Sequence, residues 1–346
     1  MSNRRAILCG GVSDENLSFG ETRPLSLNLW GSTKNVDLRI EDIRRYMLKD
    51  IPPVFVDLIE IATYVYCADQ AITRGRDTPD KLGEKWRREL FFRIPVRKPK
   101  VWNSRKLNGL LSSTLSFLSE DEYHFEFTEL TESPPWQQYL DGVQEGTESE
   151  NPEEVILFSG GLDSLGGAVQ QSVLDGQKVV LVHHQSTDAM ETRRQDLMNS
   201  LVEKSQQPPI YIPVSIRKDK SLSHEYTQRS RSFLYAALGT TVAQMWNLSR
   251  IRFYENGVVS LNLPICGEVV GARATRTTHP RVLDGFARLF SEIAGREFSV
   301  ENPFLWKTKT EVLELIGSAG CSELIQYTTS CTRTREMTIA KPHCGA

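Results

Sequence analysis

Cysteine is scarce, six in 346 residues, which excludes a disulfide framework as the source of stability. Cys9, Cys67, Cys266 and Cys321 lie in or near apolar segments and are expected as small buried side chains. Cys331 and Cys344 stand in polar sequence. No apolar run approaches the length of a membrane span, and the polar opening Met1-Ser-Asn-Arg-Arg5 does not read as a signal peptide. A cytoplasmic protein with no membrane partner is expected. An excess of charge of one sign is missing too. With 41 Lys and Arg against 44 Asp and Glu, the net charge of −3 gives no support for bulk nucleic-acid binding. What remains is an ordinary globular composition, long enough for two domains and a sizeable core.

Two common phosphate-binding signatures are also absent, the Gly-Lys-Ser/Thr end of a Walker A loop and the Gly-x-Gly-x-x-Gly of a dinucleotide fold. In their place stands Val155-Ile-Leu-Phe158 followed by Ser159-Gly-Gly-Leu-Asp-Ser164, then Leu165, Ala168, Val169 and Val173 at helical spacing. Four apolar residues in a row read as a buried parallel strand, so the polar hexapeptide occupies a strand-to-helix turn. Gly160 and Gly161 permit backbone conformations closed to other residues, and the free N–H groups of a helix start point at an anion. Ser159 and Ser164 add hydroxyls at either end, and Leu162 belongs to the same cradle. Asp163 makes little sense beside a bare anion, but as a hard oxygen ligand it suits an anion carrying Mg²⁺.

Residues 1–143 read as a smaller α+β domain. Leu25, Leu27 and Leu29 alternate, as do Leu90, Phe92, Ile94 and Val96, and Tyr123, Phe125 and Phe127, while Val54–Ala71 and Leu107–Leu118 have helical spacing. His124 reads as a solvated surface histidine. The domain carries no chemical constellation of its own, and its expected work is to cover part of an active site or to hold a partner. Residues 144–154, acidic and free of apolar side chains up to Glu154, read as a linker. From 155 to 346 strands and helices alternate: Val155–Phe158, Leu165–Leu174, Val179–His183, Met190–Lys204, Ile210–Val214, Phe233–Trp246, Ile251–Tyr254. That order predicts an α/β fold with a doubly wound parallel sheet, whose ligands bind beyond the carboxyl ends of the strands.

Further candidates follow from that geometry. The loop after the second strand, starting at His183 and His184, would pass the adenine and ribose of a nucleotide. His183 is placed with the nucleotide contacts, and a strand-end histidine with one satisfied hydrogen bond is the alternative. Arg229 and Arg231 open a long apolar helix and add positive charge to an end already disposed to anions, or form a solvated basic turn. Arg273, Arg276, His279 and Arg281 form a loop too polar for a core, read as substrate or phosphate contacts. Lys307 and Lys309 precede the apolar stripe Val312, Leu315, Ile316; lysines at a helix start oppose the dipole, which favours an anion to hold.

Ser-Gly-Gly-x-Asp-Ser resembles the signature of the PP-loop ATP pyrophosphatases. Together with Arg229-Ser-x-x-Phe233-Leu234, the run Pro303 to Val312 with Lys309, and Ser330-Cys331 followed by Cys344-Gly345, it resembles the QueC-like, 7-cyano-7-deazaguanine synthase branch over residues 155–346. The resemblance implies ATP and Mg²⁺ as cofactors and a Zn²⁺ site of four cysteines, of which Cys331 and Cys344 match the first two, leaving the site incomplete in this chain. It departs at His184-Gln-Ser-Thr-Asp188 and around Thr278-His-Pro-Arg281, where the family has other substrate loops. The front domain is absent from stand-alone synthases. The layout is more similar to the QueC-like proteins of antiviral gene cassettes of the Qat type.

What the resemblance implies is ATP-dependent adenylation of a carboxylate, 7-carboxy-7-deazaguanine in the family, then transfer to an amine with release of AMP and pyrophosphate. Asp163, Lys309 and Arg229 are the expected catalytic set. The amine is ammonia in the synthases, and the added front domain raises a second possibility, a protein partner docked on it. A nucleotide-binding sensor or scaffold without turnover is the non-enzymatic alternative. Sulfur insertion into tRNA is disfavoured, since it wants reactive cysteines by the nucleotide and a basic RNA surface.

Overall fold

A computed structural model describes residues 4–13, 23–44, 46, 50–74, 87–131, 151–186, 191–225, 229–261 and 276–329. The chain is α/β, with two parallel-dominated sheets. The first holds β1 (Arg4–Cys9), β2 (Leu25–Leu27), β4 (Glu89–Val96) and β5 (Glu122–Glu129) in the order β2-β1-β4-β5. All three pairings are parallel. The expected α+β character is thereby corrected: parallel neighbours need crossovers, and α4 (Arg105–Ser119) supplies the one between β4 and β5.

The second sheet runs β10-β9-β6-β7-β8-β3. It comprises β6 (Glu154–Leu157), β7 (Val179–Gln185), β8 (Ile210–Lys218), β9 (Arg250–Arg252) and β10 (Ser299–Glu301), all parallel, plus β3 (Val36–Leu38) from the front half. β3 lies antiparallel on β8, with Val36 opposite Lys218 and Leu38 opposite Ile216. Thus the front half completes the sheet of the second half.

Burial along the strands shows why helices lie on both faces. Val155 and Leu157 of β6 face one core with Val180 and Val182 of β7, while Ile156 and Phe158 face the other with Val179 and Leu181. The second core is built with α5 (Leu162–Val169), α6 (Glu191–Lys204) and α10 (Lys309–Ser318). The first is continuous with the front half: α2 (Pro53–Ala71) packs on α7 (Arg231–Met245), and α4 packs on α9 (Pro280–Ala294). Helices that are apolar on every side are buried on every side. In α2 and α7 that buried run even includes Asp57, Glu60, Asp69 and Thr240. Cys9, Cys67 and Cys321 are buried free thiols, as expected, and Cys266 lies outside the described residues. Among the described residues no helix is long and apolar enough to cross a membrane.

The sheet grows in sequence from β6 to β7 and β8, then reverses to β9 and β10 on the other side of β6. The loops leaving the carboxyl ends of β6 and β9 therefore diverge, and such a divide is where open α/β sheets bind ligands.

Candidate functional site

The turn after β6 is the hexapeptide 159–164. Gly160 has φ +78°, in the left-handed region, and nothing lies within 4 Å of where its Cβ would be. The turn is held from inside: Ser159 Oγ is 3.2 Å from Ser164 Oγ, Ser164 donates to Gly161 O at 2.9 Å, and Gly161 N–H donates to Ser159 Oγ at 3.3 Å. Thr329 N–H donates to Gly160 O at 2.9 Å and closes the turn from behind. Gly161 is the N-cap of α5, so the amides of Leu162, Asp163 and Ser164 start that helix with no intrahelical carbonyl to bond.

Two glycines decide what meets this turn. A Cβ on Gly166 would lie 2.7 Å from Val312 Cγ1 of α10, and one on Gly167 would lie 2.1 Å from the Tyr254 ring. Their absence of side chain brings α10 and the end of β9 close against α5. As a result Lys309, the first residue of α10, places Nζ 3.3 Å from Asp163 Oδ2. Asn256, in the loop after β9, donates to the same oxygen at 3.0 Å. Asp163 Oδ1 is buried and has no hydrogen-bond partner. The capping box between Thr308 and Glu311 puts a carboxylate in the first turn of α10, which offsets the unfavourable position of Lys309.

Glu255 and Asn256, in the loop after β9, are central to the site. Glu255 Oε2 accepts from Thr278 Oγ1 at 2.8 Å and Thr277 Oγ1 at 3.2 Å. Burial raises its carboxyl above the ordinary range, the two hydroxyls oppose that, and Asp163 adds to it. Asn302 ties the stretch down, accepting from Glu255 N–H at 3.1 Å and donating to Glu255 O at 2.8 Å. The available signal was positional: the two residues directly follow a strand beside the glycine turn.

No protein-family model matches the chain, and comparison with curated proteins returns no match.

The remaining predicted residues divide. His183 and His184 lie at the end of β7, 2% and 1% exposed. His183 Nδ1 is 2.8 Å from Phe158 O, its Nε2 has no partner, and burial together with Arg194 lowers its pKa to about 3. Three of the expected anion-binding arginines instead gather on the carboxyl end of α4. Arg229 Nη1 donates to Ser119 O at 3.3 Å and is 3.5 Å from Glu120. Arg276 donates to Phe117 O at 2.9 Å and to Glu120 at 2.5 Å, while the guanidinium carbons of Arg276 and Arg281 lie 4.5 and 4.3 Å from the Phe117 ring centroid. A helix carboxyl terminus attracts cations, and here a carboxylate stands at its cap. His279 caps α9, its Nδ1 accepting from Arg281 N–H at 3.1 Å. Lys307 lies 5.7 Å from the Phe304 ring. Arg273, Cys331 and Cys344 lie outside the described residues.

One cluster has metal-ligand chemistry that sequence reasoning did not foresee. Glu89, Glu122 and His124 bring their ligand atoms within 4.8 Å of one another on the first sheet, and His124 stacks on Phe91 at 4.4 Å.

Proposed function

We propose that this chain is a QueC-like, PP-loop enzyme that adenylates a carboxylate and transfers it to an amine. The observation that carries the reading is Asp163. One of its oxygens is held by Asn256 and Lys309, and the other is buried with no partner beside an open glycine turn at a helix start. A buried oxygen left without a partner is costly unless something binds it. The donor set suits a hard cation, with Asp163 holding Mg²⁺, which when bound would neutralise phosphate charge. The pyrophosphate of ATP would lie on the amides of the turn from Gly160 to Ser164.

In this reading a substrate carboxylate oxygen attacks the α-phosphorus, the α–β phosphoanhydride bond breaks and pyrophosphate leaves. An amine then attacks the acyl carbon, AMP departs and one proton is released, leaving an amide. Lys309 is poised to balance the charge that builds on the leaving pyrophosphate. The doubly wound PP-loop arrangement is part of the proposal, supported by a strand order that reverses at β6. So are 7-carboxy-7-deazaguanine as the acid and an antiviral setting, which rest on the sequence resemblance. Arg229 joins the carboxyl end of α4 to the start of α7 in this reading rather than binding the phosphates, its described bonds going to Ser119 and Glu120.

Pyrophosphate release from ATP and Mg²⁺, with and without 7-carboxy-7-deazaguanine, tests the reading. Release should require the acid and should fall at least about 100-fold in Asp163→Ala and in Lys309→Met, the range expected when a charge-stabilising group is lost. Nucleotide binding without any release would move the chain to a sensor or scaffold.

A further inference from the structure

The Glu89, Glu122 and His124 cluster belongs to the first sheet, whereas the glycine turn belongs to the second. It lies where β1, β4 and the edge strand β5 begin, with Arg4, Glu89 and Glu122 in register across the three strands. Residues two apart on a strand share a face, so His124 stands beside Glu122. Two carboxylates directly opposite each other repel. Arg4 answers only half of that repulsion. Its Nε pairs with Glu89 Oε2 at 2.5 Å, whereas among the described residues Glu122 meets no lysine or arginine.

The other oxygen of Glu89 converges with two more ligand atoms. His124 Nε2 lies 3.4 Å from Glu122 Oε1 and 3.6 Å from Glu89 Oε1, and all three atoms lie within 4.8 Å of one another. Ligand atoms about 2.1 Å from one ion at the tetrahedral angle lie about 3.4 Å apart. Nε2 is shut off from solvent, yet it has no hydrogen-bond partner despite the two oxygens. A protonated imidazole holding the carboxylates would point its N–H at one of them. A metal on the axis of the nitrogen has the oxygens to either side of that axis, which satisfies the distances without a hydrogen bond.

The ligands are held in advance. The His124 ring stacks on Phe91 with centroids 4.4 Å apart and planes 12° from parallel, which fixes the direction of Nε2. Arg4, by taking Glu89 Oε2, leaves Oε1 on the His124 side. Outer contacts of this kind orient metal ligands. Mg²⁺ and Ca²⁺ take oxygen rather than imidazole, and no thiolate is present to draw Cu⁺. One imidazole and two carboxylates suit Zn²⁺. With the Glu122 and His124 side chains 52% and 42% exposed, water can fill the remaining position.

We infer that Glu89, Glu122 and His124 form a binding site for a divalent transition-metal ion of the zinc class. With two ligands on β5 and one on β4, the ion ties the edge strand to its neighbour. α4 leads directly into β5, so the same clamp steadies the helix end on which Arg229 and Arg276 lie. The site is separate from Asp163 and from the cysteines, and it owes nothing to the adenylation reading.

Calorimetric titration of Zn²⁺ into the metal-free full chain tests the site, with Cys331→Ser and Cys344→Ser in place so that thiolates do not compete. Adding His124→Ala or Glu122→Gln should weaken Zn²⁺ at least roughly 10- to 100-fold, the loss that removal of an outer contact alone produces. Zn²⁺ should also raise the melting temperature of the parent chain and leave that of His124→Ala where it is. Equimolar Mg²⁺ should not displace it. Should His124→Ala unfold, Glu122→Gln decides. Zn²⁺ bound as tightly by both variants as by their parent would overturn the site, as would no binding to the parent. Displacement by equimolar Mg²⁺, the mark of a plain acidic surface, would overturn it too.

Discussion

The carboxylate of Asp69, in the last turn of α2, accepts both the backbone N–H of Ser230 at 3.1 Å and its hydroxyl at 3.0 Å, and so fixes the start of α7 from the other half of the chain. Its second oxygen accepts from Arg74 at 2.8 Å and Arg88 at 2.6 Å. The same two arginines reach Asp121, at 2.6 and 2.5 Å, closing a quartet of two anions and two cations. Asp69, Asp121 and Arg88 are 0% exposed and Arg74 is 7% exposed.

Removing one charge from such a quartet leaves a buried cation uncompensated, which costs about 3 kcal/mol or more. Asp69→Asn keeps the shape and loses the charge, so its unfolding free energy in urea should drop by that much, whereas Ser230→Ala, which loses a single neutral donor, should cost about 1.5 kcal/mol. Equal effects from the two would show that the quartet carries no special weight.

The glycine turn and the glycines behind it should answer differently to the same substitution. Gly160→Ala forces an L side chain to φ +78° in open space, so folding should lose only about 1 kcal/mol while affinity for an ATP analogue collapses. Gly167→Ala drives a methyl to within 2.1 Å of the Tyr254 ring, and its loss, about 1–3 kcal/mol or more, should be in stability. Parallel melting and nucleotide titrations of the two variants check this.

Acid should loosen the fold in two stages. His183 is held near pKa 3 by burial and by Arg194, below its ordinary 6.5. The unfolded chain therefore binds the extra proton first, and stability falls as pH drops from about 6.5 toward 3, by up to about 1.4 kcal/mol per unit for this one group. Burial pushes the Asp69 carboxyl up, but Arg88 and Arg74 outweigh it and hold it at about 2. Its contribution is present above pH 3.8 and is lost as pH falls through about 2. Unfolding of His183→Asn in urea at pH 5 and pH 7 should show a smaller difference than the unaltered protein; an unchanged difference would refute the assignment.

The strands of the second half were legible because period and apolar runs are local signals: β6, β7, β8 and β9 fall within a few residues of their expected places. The pairing of Asp163 with Lys309 was half legible, since the glycine turn and the dipole-opposed lysine each demanded a partner. The destination of Arg229, Arg276 and Arg281 was not. Positive charge at a loop or helix start announces a need for electron density, and nothing local says whether a phosphate or the carboxyl end of α4 supplies it. Nor could three residues, Val36–Leu38, announce that they belong to a sheet made from the far end of the chain.

That short strand bears on the order of assembly. During synthesis Val36–Leu38 leaves the ribosome long before Ile216–Lys218, the segment it pairs with. Until then both the strand and the apolar sides of α2 wait for partners not yet made, the condition under which nascent chains call on chaperones. A fragment beginning at the acidic stretch before β6 would keep the glycine turn and present the bare rim of β8 to solvent, an invitation to pair with its own copies. Cutting this chain at its apparent linker would yield two pieces that stick to themselves.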